Sequence, residues 1–181
     1  MLHTLQRIAG FIDDLSERTG QVIAWLTLGT VLLTFTVVVL RYGFDAGSIA
    51  MQEAVSYLHA AVFMLGAAYT LKHDAHVRVD IVYRRLSARG QAMVNLLGTL
   101  LLLLPVCIYI LASSWEYVAV SWSLHEGSQE AGGLDAVFLL KTAIPVMAVL
   151  LMLQGLAIAI HSLLQLLGIE GVDGQQQDRE L

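Results

Sequence analysis

The sequence predicts an all-α integral membrane protein of four transmembrane helices, with both termini cytoplasmic and an N-terminal amphipathic lead-in helix. Three observations carry that expectation. The first is composition: mean hydropathy is +0.70, with 57% hydrophobic and only 14% charged residues, whereas about a quarter of residues in soluble domains are charged. The second is segregation of charge. Runs 19–40, 54–71, 90–115 and 142–169, of 22, 18, 26 and 28 residues, contain no Asp, Glu, Lys or Arg. A helix rises 1.5 Å per residue, so about 20 apolar residues cross a hydrocarbon core of about 30 Å. The third is the distribution of basic residues. Arg7, Arg18, Lys72, Arg78, Arg84, Arg85, Arg89 and Arg179 lie in the segments that share one side, against Arg41 and Lys141 on the other. The positive-inside rule places the first group in the cytoplasm. A membrane barrel is excluded because strands alternate apolar and polar residues, and residues 100–104 are an unbroken leucine block.

Residues 1–18 form an amphipathic segment in which Leu5, Ile8, Ile12 and Leu15 share a face, and it can lie in the interface before the first span. Arg7, Asp13, Asp14, Glu17 and Arg18 interrupt any apolar region of a signal peptide. The membrane domain is expected over 19–169, with spans at about 20–41, 49–71, 91–114 and 142–167. A short turn, 43–48, joins the first two spans. The 72–90 loop has room for a short amphipathic piece around Ile81, Val82 and Leu86. Pro105 predicts a kink in the third span. Trp115, Tyr117 and Trp122 make an aromatic belt at its outer end. Pro145 falls in the first turns of the fourth span, where a missing amide donor is tolerated. Residues 170–181 read as a polar, disordered tail. Cys107 is the only cysteine; it has no intrachain partner and is expected to pack as a small apolar residue.

Polar groups inside spans are costly and mark function or partnership. Gln52, Ser56 and His59 recur at i, i+4 and i+7 and form a stripe on the second span. A stripe of this kind turns away from lipid and toward another helix, in this chain or a second one. Glu53 is open to two readings, an interfacial group within reach of water or a partner of a polar group on another helix. Ala54, Ala61 and Ala68, and on the fourth span Ala148, Gly155, Ala159 and Ser162, make small-residue seams that permit close helix approach.

His59 and His161 raise the alternative of a haem- or quinone-associated anchor of an oxidoreductase. The topology puts the two histidines at different depths, which disfavours one haem between them. No nucleophile and base, metal-spaced Cys/His set or phosphate-binding glycine loop is present, so no catalytic residue, metal or cofactor is expected. The spans hold too few ionisable groups for a complete ion-coupled carrier. Nucleic-acid binding would need a soluble basic domain.

Several separated segments together resemble the small membrane subunit (Q-type component) of tripartite ATP-independent periplasmic (TRAP) transporters. They are Gln52-Glu53 followed by Phe63-Met64-Leu65-Gly66-Ala67-Ala68, then His76-Val77-Arg78-Val79-Asp80, then Glu126-Gly127-Ser128 with Gly132-Gly133, and Lys141 to Pro145. The resemblance runs from about residue 20 to 164. It implies a non-catalytic subunit in the bacterial inner membrane. Its implied partners are a large multi-span transport subunit on a separate chain and a periplasmic solute-binding protein. It implies sodium-driven uptake of a small solute, an organic acid by expectation. On this resemblance Gln52, Glu53, Ser56, His59 and Gly66 become candidates for the large-subunit interface. His76, Arg78 and Asp80 are a cytoplasmic-loop motif, either at that interface or clasping their own turn. Glu126, Ser128, Gly132 and Gly133 are a periplasmic-loop motif, either ordering the loop or meeting the binding protein.

Overall fold

The structure is a computed structural model that describes residues 2–77 and 80–169, with Asp80 and Val82 described by backbone alone. The expectations for Arg78, for the Asp80 side chain and for the 170–181 tail lie outside the described residues. The described chain is helical, with α1 Leu2–Gly43, α2 Ile49–Lys72, α3 Asp80–Tyr83, α4 Ala88–Gly98, a π-helical turn Thr99–Leu103, α5 Leu104–Ser123 and α6 Val137–Leu166. Among the described residues, four stretches are long and apolar enough to cross a membrane: Leu2–Gly43, Ile49–Lys72, Ala88–Ser123 and Val137–Leu166. Their order puts the first and last described residues, Leu2 and Ile169, at one end of the bundle, the terminal end. The α1–α2 turn and the 124–136 loop lie at the other, the loop end.

Each boundary has a local cause. Ser48 caps α2 by accepting from the Met51 amide at 3.3 Å, and Ser87 caps α4 by accepting from Gly90 at 3.3 Å. Both place a hydroxyl on an otherwise orphaned amide of a first turn. The π-helical turn directly precedes Pro105, whose missing amide cannot bond four residues back, and Leu104 instead donates to Thr99. A proline inside a helix commonly resolves its lost bond by such local rewinding. The fourth span begins earlier than expected, at Val137. Pro145 therefore stands inside α6, and the Lys141 carbonyl loses its regular donor.

The lead-in segment is not separated from the first span. Residues 2–43 form one helix because the charged residues at 13–18 are compatible with helix and no proline intervenes. Its buried face is Ala9, Ile12 and Ser16, while Ile8 and Leu15 of the expected apolar face are exposed. Ala9 and Ile12 pack with Ala157, Ile160 and Leu164 of α6, flanked by Leu5 and Leu153.

Helix α6 is the central helix and touches α1, α2, α4 and α5. It carries more buried positions than any other helix, including Ala148, Gly155, Ala157, Ala159 and Ser162. Small side chains let neighbours approach where lipid provides no hydrophobic driving force. A Cβ at Gly155 would lie 2.6 Å from Leu103 and 3.3 Å from Thr99. A Cβ at Gly20 of α1 would collide with the Tyr69 ring of α2. Cys107 is buried and free.

These approaches predict a position-specific sensitivity to size. Gly155→Leu is expected to lower thermal stability in detergent by about 1–3 kcal/mol through overpacking, and Leu103→Ala in the same chain to restore part of the loss. A Cβ at Gly29 would meet nothing within 4 Å, so Gly29→Ala is expected to be neutral or mildly stabilising, by up to about 1 kcal/mol. Fluorescence-monitored thermal unfolding of the purified variants checks both; equal losses at the two glycines would contradict the close approach of the π-helical turn to α6.

Candidate partner interface

The second helix presents two different polar faces, because adjacent residues on a helix point about 100° apart. Gln52, Ser56 and His59 are exposed, and the apolar Phe63 continues the same row with 72% exposure. The Ser56 hydroxyl donates only to its own helix, to the Gln52 carbonyl at 3.4 Å. Among the described residues neither the Gln52 amide nor the His59 imidazole bonds another helix. A groove of about 350 Å³ lined by Ile49, Gln52, Glu53, Ser56 and Glu130 lies at the loop end of this row.

Glu53, one residue along, turns into the protein. Its carboxylate accepts from the Ser128 hydroxyl and, at 2.7 Å, from the Leu134 amide. The loop closes around those two bonds. Ser128 donates its amide to the Leu134 carbonyl at 2.9 Å, and its hydroxyl also accepts from the Glu130 amide at 3.1 Å. Gly132 has φ +82°, a conformation that favours glycine. A Cβ at Gly133 would strike the Ser128 hydroxyl, and one at Gly127 would lie 2.5 Å from the Asp135 carboxylate. Close approach thus favours glycine most strongly at Gly133, where the Ser128 Cβ and the Glu53 carboxylate also crowd the site.

Beside this clasp, Lys141 at the start of α6 pairs with Glu126, and its ammonium sits 3.9 Å from the centre of the Tyr117 ring. The Trp122 indole donates to Thr142 at 2.8 Å. Lys141 holds the Glu126 carboxyl below the usual carboxylate range by its hydrogen bond and charge. The four periplasmic-loop candidates are therefore brought together, and Glu53 joins them.

The remaining candidates lie elsewhere. Gly66 faces α1, where a Cβ would lie 3.8 Å from Ile23. The His76 ring is 3.2 Å from the Ala67 carbonyl and folds the chain back over the end of α2. The Tyr83 hydroxyl donates to Asn95 at 3.1 Å, and the Gln91 amide to the Tyr83 carbonyl at 3.3 Å, so α3 is fastened to α4.

One polar cluster was not foreseen. The Ser16 hydroxyl donates to Gln154 at 2.6 Å, the Gln154 amide donates to Asp13 at 2.9 Å, and His161 meets the other Asp13 oxygen at 2.9 Å. Ser16 and Gln154 are almost fully buried. Next to it, Glu17 bonds Lys72 at 2.7 Å and His73 at 2.9 Å. The available signal was periodicity: Asp13 and Ser16 share the helical face of Ala9 and Ile12. These contacts also place the two histidines. Gly66 is level with Ile23, and Ser16 is level with Gln154. Three steps of seven residues then separate His59 from His161 along the bundle axis, about 30 Å. One haem cannot bridge that distance.

The DctQ component of tripartite ATP-independent periplasmic transporters is the family whose pattern matches, over residues 30–165. A TRAP transporter small permease protein of Haemophilus influenzae is 33% identical over 84 residues, which are 46% of this chain and 52% of that protein. The C4-dicarboxylate TRAP transporter small permease protein DctQ of Vibrio cholerae is 28% identical over 111 residues, 61% of this chain and 46% of that protein. The chain thus spans about half the length of each of these relatives. No solved structure is a significant match.

The loop-end pair has a defined pH response. A carboxyl whose folded pKa is depressed contributes stability above its unfolded pKa, and that contribution is lost as pH falls through the folded value. The Glu126 carboxyl starts from an ordinary value of 4.5, so the loss is expected below that pH. Glu126→Gln should unfold at a lower temperature than the parent at pH 7, with the gap closing as the pH is lowered below 4.5. Differential scanning fluorimetry across that range tests it; a gap independent of pH would assign the effect to shape and not to charge.

Proposed function

The chain belongs to the DctQ component family of TRAP transporters, and from that membership we propose that it is the small membrane subunit that braces a large, separately encoded transport subunit. In this reading the large subunit carries the solute, driven by sodium, after a periplasmic binding protein has captured it. The solute is a small organic acid, a class consistent with the C4-dicarboxylate named for the Vibrio cholerae relative. The protein sits in the bacterial inner membrane with both termini cytoplasmic, as the distribution of basic residues supports. The 124–136 loop then faces the periplasm, where the binding protein docks. No reaction is assigned to the chain: the family is a transporter component.

The observation that carries the partnership is the exposed row Gln52, Ser56 and His59 on a membrane helix. Polar groups facing hydrocarbon are costly, and a second helix that bonds them removes that cost. Glu53 and Gly66 support the interface indirectly. Glu53 fixes the loop above the row, and Gly66 seats α2 on α1 so that the row points outward. Phe63 supplies an apolar continuation.

The test is co-purification. A C-terminally tagged chain extracted from native membranes in mild detergent is expected to recover a many-helix membrane protein at near-equal amount. Ser56→Leu and His59→Leu should each weaken recovery, roughly three- to thirtyfold for each interhelical hydrogen bond lost. Glu53→Gln should loosen the loop, seen as faster proteolysis between 124 and 136, with a smaller effect on recovery. Undiminished recovery in both leucine variants would show that the row does not face the partner. Recovery of redox subunits in place of a carrier would overturn the proposed function.

A further inference from the structure

The helices end at different levels along the bundle, and the contacts between them measure by how much. At the terminal end of the α1–α2 hairpin, Glu17 is bonded to Lys72 and His73. The adjacent Ser16 is bonded to Gln154 of α6. Gly155 in turn lies against Thr99 and Leu103. One level therefore passes through the charged end of the hairpin, through Gln154–Gly155 and through Thr99–Leu103.

That level is the middle of the other two spans. Gly155 stands thirteen residues after Thr142 and fourteen before Ile169, the limits of one charge-free run. Leu103 stands thirteen residues after Gly90 and twelve before Trp115, the limits of the other. Helix α2 ends at Lys72, yet α6 continues twelve residues past Gln154 to Leu166, about 18 Å further. At matching heights the surfaces differ as well. On α1, Asp14 and Arg18 are exposed; on the opposite flank Leu97 and Leu101 are 46% and 66% exposed.

A common tilt does not level the two halves. Glu53 holds Leu134, three residues before α6 begins, and Lys72 is level with Gln154 at the other end, so α2 and α6 pack side by side between those levels. The charge-free run of α2 has 18 residues and the part of the other that lies in α6, 142–166, has 25, about 27 and 37 Å. An upright helix suits the first and a steeply tilted one the second. Helices packed side by side share most of their tilt.

We infer that the bilayer boundary is stepped around this bundle, with headgroups and water of the terminal-side leaflet reaching, on the α1–α2 flank, to the mid-span level of α4–α6. The surface that does this is the charged end of the hairpin, Asp14, Glu17, Arg18, Lys72 and His73, and its occupant is the polar layer of phospholipid. Charged groups draw water and headgroups to themselves and thin the leaflet locally. The exposed leucines at the same height on the other flank hold hydrocarbon around them. The inference rests on the spans and their register and does not depend on the identity of the carrier subunit.

Collisional accessibility of nitroxide labels tests it in the full chain. With Cys107 replaced by alanine, single cysteines at Asp14, Phe11, Leu97 and Leu101 are labelled and the protein is reconstituted into vesicles of phosphatidylcholine and phosphatidylglycerol. Asp14→Cys and Phe11→Cys are expected to collide severalfold more with a water-soluble nickel complex than with oxygen, relative to Leu97→Cys and Leu101→Cys. Phe11, 70% exposed on α1, decides the matter without removing a charge. If all four labels report oxygen-rich hydrocarbon, the boundary is flat and the inference fails. If Leu97 and Leu101 are as wet as Asp14, the two flanks share one boundary, and it fails equally.

Discussion

The side chain on which the arrangement of this bundle depends is the buried amide of Gln154. Between apolar helices in lipid there is little to favour one sliding position over another, since hydrocarbon packs against either. A buried amide is different: it has directional donors and acceptors that must be met. Gln154 accepts from Ser16 and donates to Asp13, and both partners lie on one face of α1. Sliding α1 by a turn would strand the buried Ser16 and Gln154 and unpair the Asp13 carboxylate, so the network selects one register. The close approach at Gly155 then fixes the π-helical turn of the third span against the same level of α6. Gly20 and Gly66 fix α2 against α1 in turn.

At the loop end the same rule acts on a carboxylate. Glu53 could have been the partner-facing charge of α2, but its two bonds to Ser128 and Leu134 use it inside the chain. The loop is ordered by those bonds together with the Glu126–Lys141 pair. What remains outward on α2 is a row of milder polarity, an amide, a hydroxyl and an imidazole. Such groups are tolerable against a second helix that can hydrogen-bond them, whereas a bare carboxylate would demand a cation or water. The internal use of Glu53 therefore makes the face better suited to helix packing.

The four spans were legible because a helix that crosses hydrocarbon must exclude charge over a fixed length, and charge is directly visible in sequence. The caps at Ser48 and Ser87 and the disturbance before Pro105 follow from single residues in the same direct way. Register between helices was not legible. Periodicity tells which residues share a face, so it found Gln52, Ser56 and His59. It does not tell what stands opposite, so Asp13 and His161 were read apart and Gly66 was grouped with the outward row. The continuity of α1 was missed for a related reason. Charges at 13–18 look like the end of a membrane segment, yet they do not break a helix: Asp13 and Glu17 bond neighbouring helices, and Asp14 and Arg18 are exposed.

The unequal lengths of the helices bear on why a bracing subunit would be built in this way. A bundle of equal spans presents the same thickness on every side and leaves a neighbour free to rotate about it or shift in depth. Here α2 is 24 residues long and α6 is 30, with α1 at 42. The outward polar row lies on the shortest of these helices. A neighbour that bonds Gln52, Ser56 and His59 is fixed in height by directional contacts at the loop end. Below them, toward the terminal end, the same flank closes with charges at Lys72 and His73, which confine its apolar contact to a short span. On the proposed reading a carrier helix seated there is held at one depth by polar bonds above and by the charged end below. A scaffold that must stay still while another part of the transporter moves needs that kind of axial restraint, and apolar packing alone does not provide it.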